Sequence, residues 1–492
     1  MTQLSLANWK RFLLTGCDSG MYRAAGYAPD PARSRAFLHF LSESGPKAVG
    51  ELLDFEHARP DARLYALALA ASPRFAAPET VAAAFAALPL AARKAQDLAA
   101  FAAYATSFRG WGRGLRGAIA SWYANQPVDD LAAQILKRPS RNLRQHRALV
   151  RRAHPKAGGA QQNALFQWIA DGRLGHLASP EVLSGGLRRV DGYERARSAS
   201  SERDIVHLVE DYRLHPPQIA GRWKKSPRVW EALFDHLSYR QTLRYLPAMT
   251  ASGLLTHGSD YSAIAVARVA DRARLRAAGV SPLRILQAMK RYRASHRAVE
   301  GVFDALDEAF HLSLANTPPL GKRIVAAVDA TGSMQGAPVL GMPHVPAALA
   351  GAALVLTLAR AEGRDCLPVA FHREARLLSR CSGKDARLAG TLNEIRATPS
   401  RGDPSSVIRF AASNRVEASA FVIVTDRLSG RDAETLGAEV ARYRERMGIA
   451  SRLVLVNLSG GVEIDAPDGA MVVSGLDTHR SLVAIRAFLQ DA

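Results

Sequence analysis

Residues 321–334 read GKRIVAAVDATGSM, and at this stretch the chain changes from one kind of pattern to another. The run Ile324 to Val328 has no polar residue to face solvent, and it stops at Asp329. A strand that is apolar on both faces belongs in a parallel sheet covered by helices on each side. Four more such runs follow: CLPVAF ending at Phe371, AFVIVTD ending at Asp426, RLVLVNL ending at Leu458 and MVVSG ending at Gly475. Between them lie the helical stretches VPAALAGAALVLTLARAEG, PSSVIRFAASN, DAETLGAEVARYRERMG and HRSLVAIRAFLQ. Strand–helix alternation predicts an α/β domain with a doubly wound parallel sheet over residues 322–492. Ligands of such sheets gather at the carboxyl ends of the strands, where Asp329 and Asp426 fall.

Toward the N-terminus the pattern is helical throughout. ARLYALALAAS, PETVAAAFAALPLAARKA, GLRGAIASWYAN, DDLAAQILKR, SERDIVHLVEDY and SPLRILQAMKRYR carry apolar residues at spacings of three and four. Breaks at Pro73, Gly110, Pro139 and Pro155 keep each stretch short. Many short helices in series with no strand to organise them predict an α-helical solenoid over residues 1–321. No fixed period is visible, so the repeats are degenerate. Residues 184–202, SGGLRRVDGYERARSASSE, are rich in Gly, Ser and Arg and read as a loop.

Charge separates the two halves as well. The net charge is +20, yet from Lys322 onward 21 Lys/Arg face 18 Asp/Glu, while the preceding residues hold 44 against 27. The excess therefore belongs to the helical part. Within it, residues 137–156 (KRPSRNLRQHRALVRRAHPK) carry eight Lys or Arg and two His with no carboxylate. A cluster of that density repels itself, and a nucleic acid is the polyanion that offsets the repulsion. If residues 143–154 are helical, Arg144, Arg147, Arg151 and His154 share one face. Leu143, Leu149, Val150 and Ala153 occupy another, with His146 among them, so His146 is expected in the core. Arg113 and Arg116 open the preceding helix and extend the basic surface. Lys290, Arg291 and Arg293 around Tyr292 form a second basic patch, whose aromatic suits single-stranded RNA.

Other classes find less support. Cys17, Cys366 and Cys381 make no CxxC pair, which fits a reducing compartment. No apolar run approaches the roughly 20 residues of a membrane span, so a cytoplasmic protein without a membrane partner is expected. There is no HExxH, no GxSxG and no paired-carboxylate cluster, so a non-enzymatic role is expected. The competing expectation is a metal-dependent protein-interaction scaffold acting through the C-terminal domain.

That competitor rests on Asp329-Ala330-Thr331-Gly332-Ser333. A carboxylate and two hydroxyls at alternate positions of a tight loop suit a hard cation such as Mg²⁺, with Asp426 reaching it through water. The loop resembles the metal-ion-dependent adhesion site of von Willebrand factor A domains, whose pattern is DxSxS plus a Thr and an Asp from later loops. Thr331 replaces the first Ser. Gly402, within the SRGD of residues 400–403, stands where the pattern has Thr, leaving Ser400, Ser405 or water to substitute; Arg401 brings a positive charge close by.

With a helical half ahead of an A domain, the chain resembles the Ro autoantigen family, defined by the TROVE module. NWKRFLLTGCDSGMYRAAG near the N-terminus, GWGRGLRGAIASWYAN (residues 110–125), LRYLPAMTASGLL (243–255) and GKRIVAAVDATGSM carry the likeness, which spans almost the whole chain. The resemblance implies HEAT-like repeats closed into a ring by the A domain. It also implies binding of Y-like noncoding RNA on an outer basic surface and of single-stranded 3′ ends of misfolded RNA through a central hole. An exoribonuclease such as polynucleotide phosphorylase is the implied partner, and the implied role is noncoding-RNA quality control or decay. Carried over residue by residue, the family's RNA-contacting Lys, Arg and His fall on Lys137, Arg141 and His154.

Overall fold

All five apolar runs form strands in the computed structural model, which describes residues 8–25, 29–174, 183–383, 385–395 and 402–490. They are β2 (Ile324–Asp329), β3 (Cys366–Phe371), β5 (Ala420–Thr425), β6 (Arg452–Asn457) and β7 (Ala470–Ser474). Two short edge strands, β1 (Met21–Arg23) and β4 (Ala375–Leu377), complete a seven-stranded sheet of order β1-β7-β6-β5-β2-β3-β4. Every pairing is parallel except β3 with β4. Val328 lies opposite both Ala370 and Val424. Asp329 therefore stands level with Thr425, and Asp426 one residue beyond, at the same end of the sheet.

The sheet is covered on both faces, as continuous apolar strands require. Val325, Ala327, Phe421, Ile423, Leu453 and Leu455 meet Val407 and Ile408 of the helix Ser405–Ser413 and Leu436, Val440 and Tyr443 of the helix Gly430–Met447. The alternate residues of β2 face the helix Ala347–Glu362. A β-carbon on Gly351 would come within 2.7 Å of Val328 Cγ2, so the glycine sets how closely that helix approaches.

Strand β1 has no counterpart in the sequence reading. At three residues it is too short to show a period, and it gains its place only by pairing with β7, Met21 opposite Val472 and Arg23 opposite Ser474. Tyr22 is buried and its hydroxyl donates to Asp477 Oδ2 at 2.9 Å. Packing accordingly gathers the chain up to Ala36 with everything from Ser262 onward into one compact unit; Phe37–Tyr261 forms the other.

The second unit is helical. Its relevant helices are α1 (Ala95–Arg109), α2 (Arg113–Ala124), α3 (Val128–Leu136), α4 (Pro139–Ala153), α5 (Ala160–Asp171), α6 (Gly185–Ser198) and α7 (Glu202–Tyr212). Local signals explain their ends. Pro139 opens α4, Gly172 in the left-handed region closes α5, and Ser201 with Asp204 forms a reciprocal cap at the start of α7. Neighbours in sequence pack as neighbours in space: α4 on α1, α2 and α5, α6 on α3 and α7.

The expectation of a loop over residues 184–202 is corrected by α6. Its glycines serve packing and do not break the helix. A β-carbon on Gly186 would lie 2.8 Å from Asp129 Cα, and one on Gly192 would lie 2.4–2.6 Å from Tyr212. Leu187 and Val190 are buried, and Arg195 pairs with Asp191 at 2.9 Å one turn away. Gly/Ser/Arg composition resembles a linker until those contacts are known.

Candidate functional site

Helix α4 presents the basic segment. Leu143, His146, Val150 and Ala153, at spacings of three and four, turn inward and leave the cations outside. His146 is fully buried. Its Nδ1 lies 2.6 Å from Tyr123 Oη of α2, and its ring meets the Tyr123 ring edge-on. Burial pushes its pKa down to about 4, opposed only weakly by the backbone at Ala95, so the imidazole is neutral. The expected core role of His146 is what the structure shows.

At the start of α4, Asn142 donates to the carbonyls of Gln134 and Ile135 at 2.8 and 3.2 Å, satisfying the end of α3 and fixing the turn between the helices. That turn carries Lys137 and Arg138. Lys137, Arg138 and Arg141 line a groove of about 310 Å³ with Lys94, Gln134 and the small residues Ala99, Ala100 and Ala103 of α1. None of these four cations, nor Arg144, has a carboxylate partner among the described residues.

The far end of α4 is arranged differently. His154 is exposed and left-handed (φ 50°), and its N–H closes the helix on Val150 O at 2.9 Å. Arg151 faces Asp171 at 3.6 Å across solvent, a pair of little energetic weight. Arg152 lies 4.2 Å from the centroid of the Trp111 ring, just ahead of α2. Arg113 and Arg116 are exposed on the first turn of α2, close in sequence to that stack.

Arg147 departs from the expected stripe. It is half-buried and turns toward the end of α5, its Nε 3.5 Å from Ile169 O. A β-carbon on Gly172 would meet its guanidinium at 2.1 Å. The second basic patch also changes character. Tyr292 is fully buried, its hydroxyl accepting from Val299 N at 3.0 Å, so it has no face for a base, and Arg293 pairs with Glu300. Lys94 and the Arg152–Trp111 stack, which the sequence reading did not assign, take their place beside α4. An Arg and a Trp forty residues apart give no periodic signal.

The second candidate is the oxygen-rich loop at the carboxyl end of β2. Asp329, Thr331 and Asp426 are buried, and Ser333 is half-buried. Thr331 N donates to Asp329 Oδ1 at 2.9 Å, Thr331 and Ser333 hydroxyls lie 3.0 Å apart, and Ser333 Oγ donates to Asp426 Oδ1 at 3.0 Å. The four sequence-assigned residues are thus joined in one hydrogen-bonded chain. Thr425, unassigned by sequence although adjacent to Asp426, donates to Asp329 Oδ2 at 2.7 Å. Gly402 does lie against the site, since a β-carbon there would be 3.1 Å from Asp329 Oδ1. Ser405 is buried outside the cavity lining, and its N–H donates to Asp403 Oδ1 at 3.0 Å. Ser400 and Arg401 lie outside the described residues.

Burial raises the pKa of Asp329, and the Asp426 charge adds to the effect, against hydrogen bonds from Thr425 and Thr331. Among the described residues, the cation at hand is Arg427, 3.7 Å from Asp426 and largely in solvent. The loops frame a cavity of about 750 Å³ that also reaches Asp432, Asn457 and Ser459. No group of three or more His, Cys, Asp or Glu converges among the described residues, so any ion here depends on hydroxyls and water to complete its shell. The donors present, two carboxylates and two hydroxyls, fit a hard divalent cation.

A family model described as the Ro60 vWA domain matches residues 323–489. A Deinococcus radiodurans protein, named RNA-binding protein RO60, is 29% identical over 464 residues, covering 91% of this chain and 85% of its own. A Caenorhabditis elegans protein of the same name is 26% identical over 429 residues, covering 76% and 65%. The crystal structure of the Deinococcus radiodurans RO (RSR) protein matches with a TM-score of 0.87, at 27% identity over 99% of both chains. Over nearly its whole length the chain resembles the Ro proteins. The likeness spans both halves: the sheet by the family model, and the helices by a similarity that extends over nearly the whole chain. Among the described residues, no helix is long and apolar enough to cross a membrane.

Proposed function

We propose that this chain binds RNA through the basic face of α4, the groove beside it and the adjoining start of α2. The observation that carries the reading is the row Lys94, Lys137, Arg138, Arg141 and Arg144, left without acidic partners beside a helix anchored by a buried neutral histidine. Relatives named as RNA-binding proteins support it. The ligands are a structured small RNA of the Y type and single-stranded 3′ ends of misfolded RNA, in a role in RNA quality control or decay. The partner is an exoribonuclease such as polynucleotide phosphorylase, in the cytoplasm. The chain acts by binding and performs no catalysis itself.

Physically, each cation that meets a phosphate releases condensed counterions, so affinity falls steeply with salt. Six such contacts give a slope of log affinity on log salt of roughly −4 to −5. An RNA helix is held through its backbone, while an unpaired tail also offers bases to the Trp111–Arg152 stack. His154, exposed at the helix end, donates to phosphate or stacks on a base.

For the loop site, Mg²⁺ held by Asp329, Thr331, Ser333 and, through water, Asp426 is proposed. The ion would supply positive charge to Asp329, a buried carboxylate with no cation paired to it among the described residues, and an open position for an acidic group of a partner. This is the route by which the competing reading, a protein-interaction scaffold, would operate.

The test is a salt-titrated binding assay with one structured RNA carrying a single-stranded 3′ tail and the same RNA blunt-ended. Wild type is compared with a Lys137→Ala/Arg141→Ala/His154→Ala variant. Wild type should prefer the tailed RNA, and the variant should lose about two decades of affinity and two units of salt slope. Unchanged affinity in the variant rejects the site, and no RNA binding by wild type at low salt rejects the function.

A further inference from the structure

Away from α4, the same helical unit holds a second concentration of cations, and this one is concave. A cavity of about 440 Å³ opens between α6, α7 and the residues that follow the helix Pro227–Phe234. Arg188, Arg189, Arg213, His215, His236 and Tyr212 line it, with Asp211 the one carboxylate in the lining.

Local structure sets these groups in place. Gly192 lets α6 approach Tyr212 to a distance no larger residue permits. Tyr212, anchored through its hydroxyl to Asp191 at 3.1 Å, carries the Arg188 guanidinium 5.5 Å from its ring centroid. Arg213 ends α7 in the left-handed region (φ 51°), which turns the chain sharply into the His215 loop. Arg189 is half-buried, and neither it nor Arg213 has a side-chain partner among the described residues. The Nδ1 atoms of His215 and His236 are both buried without a hydrogen-bond partner. Three guanidinium groups against one carboxylate leave two positive charges in excess. Arg188 and Arg213 are exposed and Arg189 is half-buried, so the excess charge gathers around one recess and repels itself until an anion offsets it.

We propose that this cavity binds a phosphate monoester, either the terminal phosphate of an oligonucleotide or a free mononucleotide. A dianion matches the excess charge, and the volume accommodates a phosphate with its sugar. An internal phosphodiester carries half the charge and has chain leaving on both sides, which a recess favours less than an end.

The histidines add a pH dependence. Burial lowers the pKa of both, helped at His215 by His236, Arg189 and Arg213 and at His236 by Arg213. Asp235 and Glu210 act in the opposite sense on His236, and Asp211 is the remaining acid in the lining. In the free protein the imidazoles are neutral at pH 7. A bound dianion raises their pKa values, so the histidines take up protons on binding and strengthen it as pH falls from 8 to 6.5, above the second phosphate pKa of about 6.

The experiment titrates the full chain with AMP and with four-nucleotide RNAs ending in a 5′-phosphate, a 3′-phosphate or hydroxyls only. A phosphorylated end should bind at least tenfold tighter than hydroxyl ends. AMP competing at equal concentration identifies the mononucleotide as the source, and AMP at least tenfold weaker identifies the oligonucleotide end. The preference should vanish in Arg189→Gln/Arg213→Gln, and the pH dependence in His215→Gln/His236→Gln. If the double arginine variant melts early, Arg213→Gln alone, at an exposed residue, should reduce the preference at least threefold. Equal binding of phosphorylated and unphosphorylated ends overturns the site, as does a preference that survives in folded arginine variants. Because AMP is too small to need α4, these outcomes are separate from the fate of the RNA reading above.

Discussion

The basic face of α4 and the loop after β2 solve opposite electrostatic problems. On α4 most of the charges are outside, Arg141 and Arg144 without a carboxylate partner among the described residues, and the buried member of the set, His146, is neutral. In the loop the charges are inside, and the carboxylates of Asp329 and Asp426 are connected to each other through hydroxyls with no buried cation among the described neighbours. The first arrangement is stable without a ligand and attracts anions from a distance. The second carries its strain inside the fold, and an ion would relieve it. The two regions should therefore respond to acid with opposite signs.

The largest expected effect comes from His146. Its folded pKa of about 4 lies below the unfolded value of 6.5, so the unfolded chain takes up a proton first. Stability is complete above pH 6.5 and is lost as pH falls toward 4, by about 3 kcal/mol at the limit. Urea unfolding of the helical unit at pH 7 and pH 4.5 should show this loss in wild type and not in His146→Gln, which keeps a partner for Tyr123. Parallel pH slopes in the two proteins would remove the buried neutral histidine from the account.

Asp329 should move the other way. Burial raises its folded pKa, so its contribution to stability is present at low pH and is lost as pH rises past the unfolded and then the folded value. In chelator at pH 7, Asp329→Asn is expected to stabilise the sheet unit by on the order of 1 kcal/mol. Mg²⁺ should raise the melting temperature of wild type and leave that of the variant unchanged. A destabilised variant with no Mg²⁺ response in wild type would mean that the hydroxyl network alone satisfies the carboxylates.

These two sites also differ in how much of them the sequence discloses. For the sheet, near-continuous apolar runs ending in Asp329 and Asp426 are enough, because a buried parallel strand has no other pattern and its carboxyl end has a fixed use. What the runs cannot disclose is β1, whose three residues are a strand only because β7 offers an edge. Nor can they show Thr425 donating its hydroxyl to Asp329. For α4, helical phasing separates His146 from the cations correctly, since period is a property of the segment itself. It fails for Arg147, and for Tyr292 in the second patch, because burial there is imposed by neighbouring helices. It also fails for α6, where the glycines look like breakers until Asp129 and Tyr212 are set against them.

Smaller effects separate a merely charged surface from one shaped for unpaired RNA. Trp111→Ala removes the platform under Arg152 and an aromatic face that is only half-buried. Affinity for the 3′-tailed RNA should drop about three- to tenfold, the range of one stacking contact, while the blunt RNA changes less. An equal drop for both RNAs would assign Trp111 to holding Arg152 for backbone contact alone.

The smallest effect is the most discriminating between stripe and structure. By helical phasing, Arg147 belongs with Arg144 and Arg151, and its loss should then cost as much as theirs. In the folded chain its guanidinium lies against the end of α5, beside the Ile169 carbonyl and Gly172. There it complements the negative end of a helix dipole, a contribution of about 0.3–1 kcal/mol to stability. Arg147→Ala should therefore lower the melting temperature of the helical unit slightly and leave RNA affinity within about twofold and the salt slope unchanged. Arg144→Ala, with no such contact, should leave the melting temperature alone and reduce the slope by nearly one unit. If the two substitutions exchange these signatures, the cations of α4 act by their spacing along the helix, and the packing of α5 has no bearing on which of them meet phosphate.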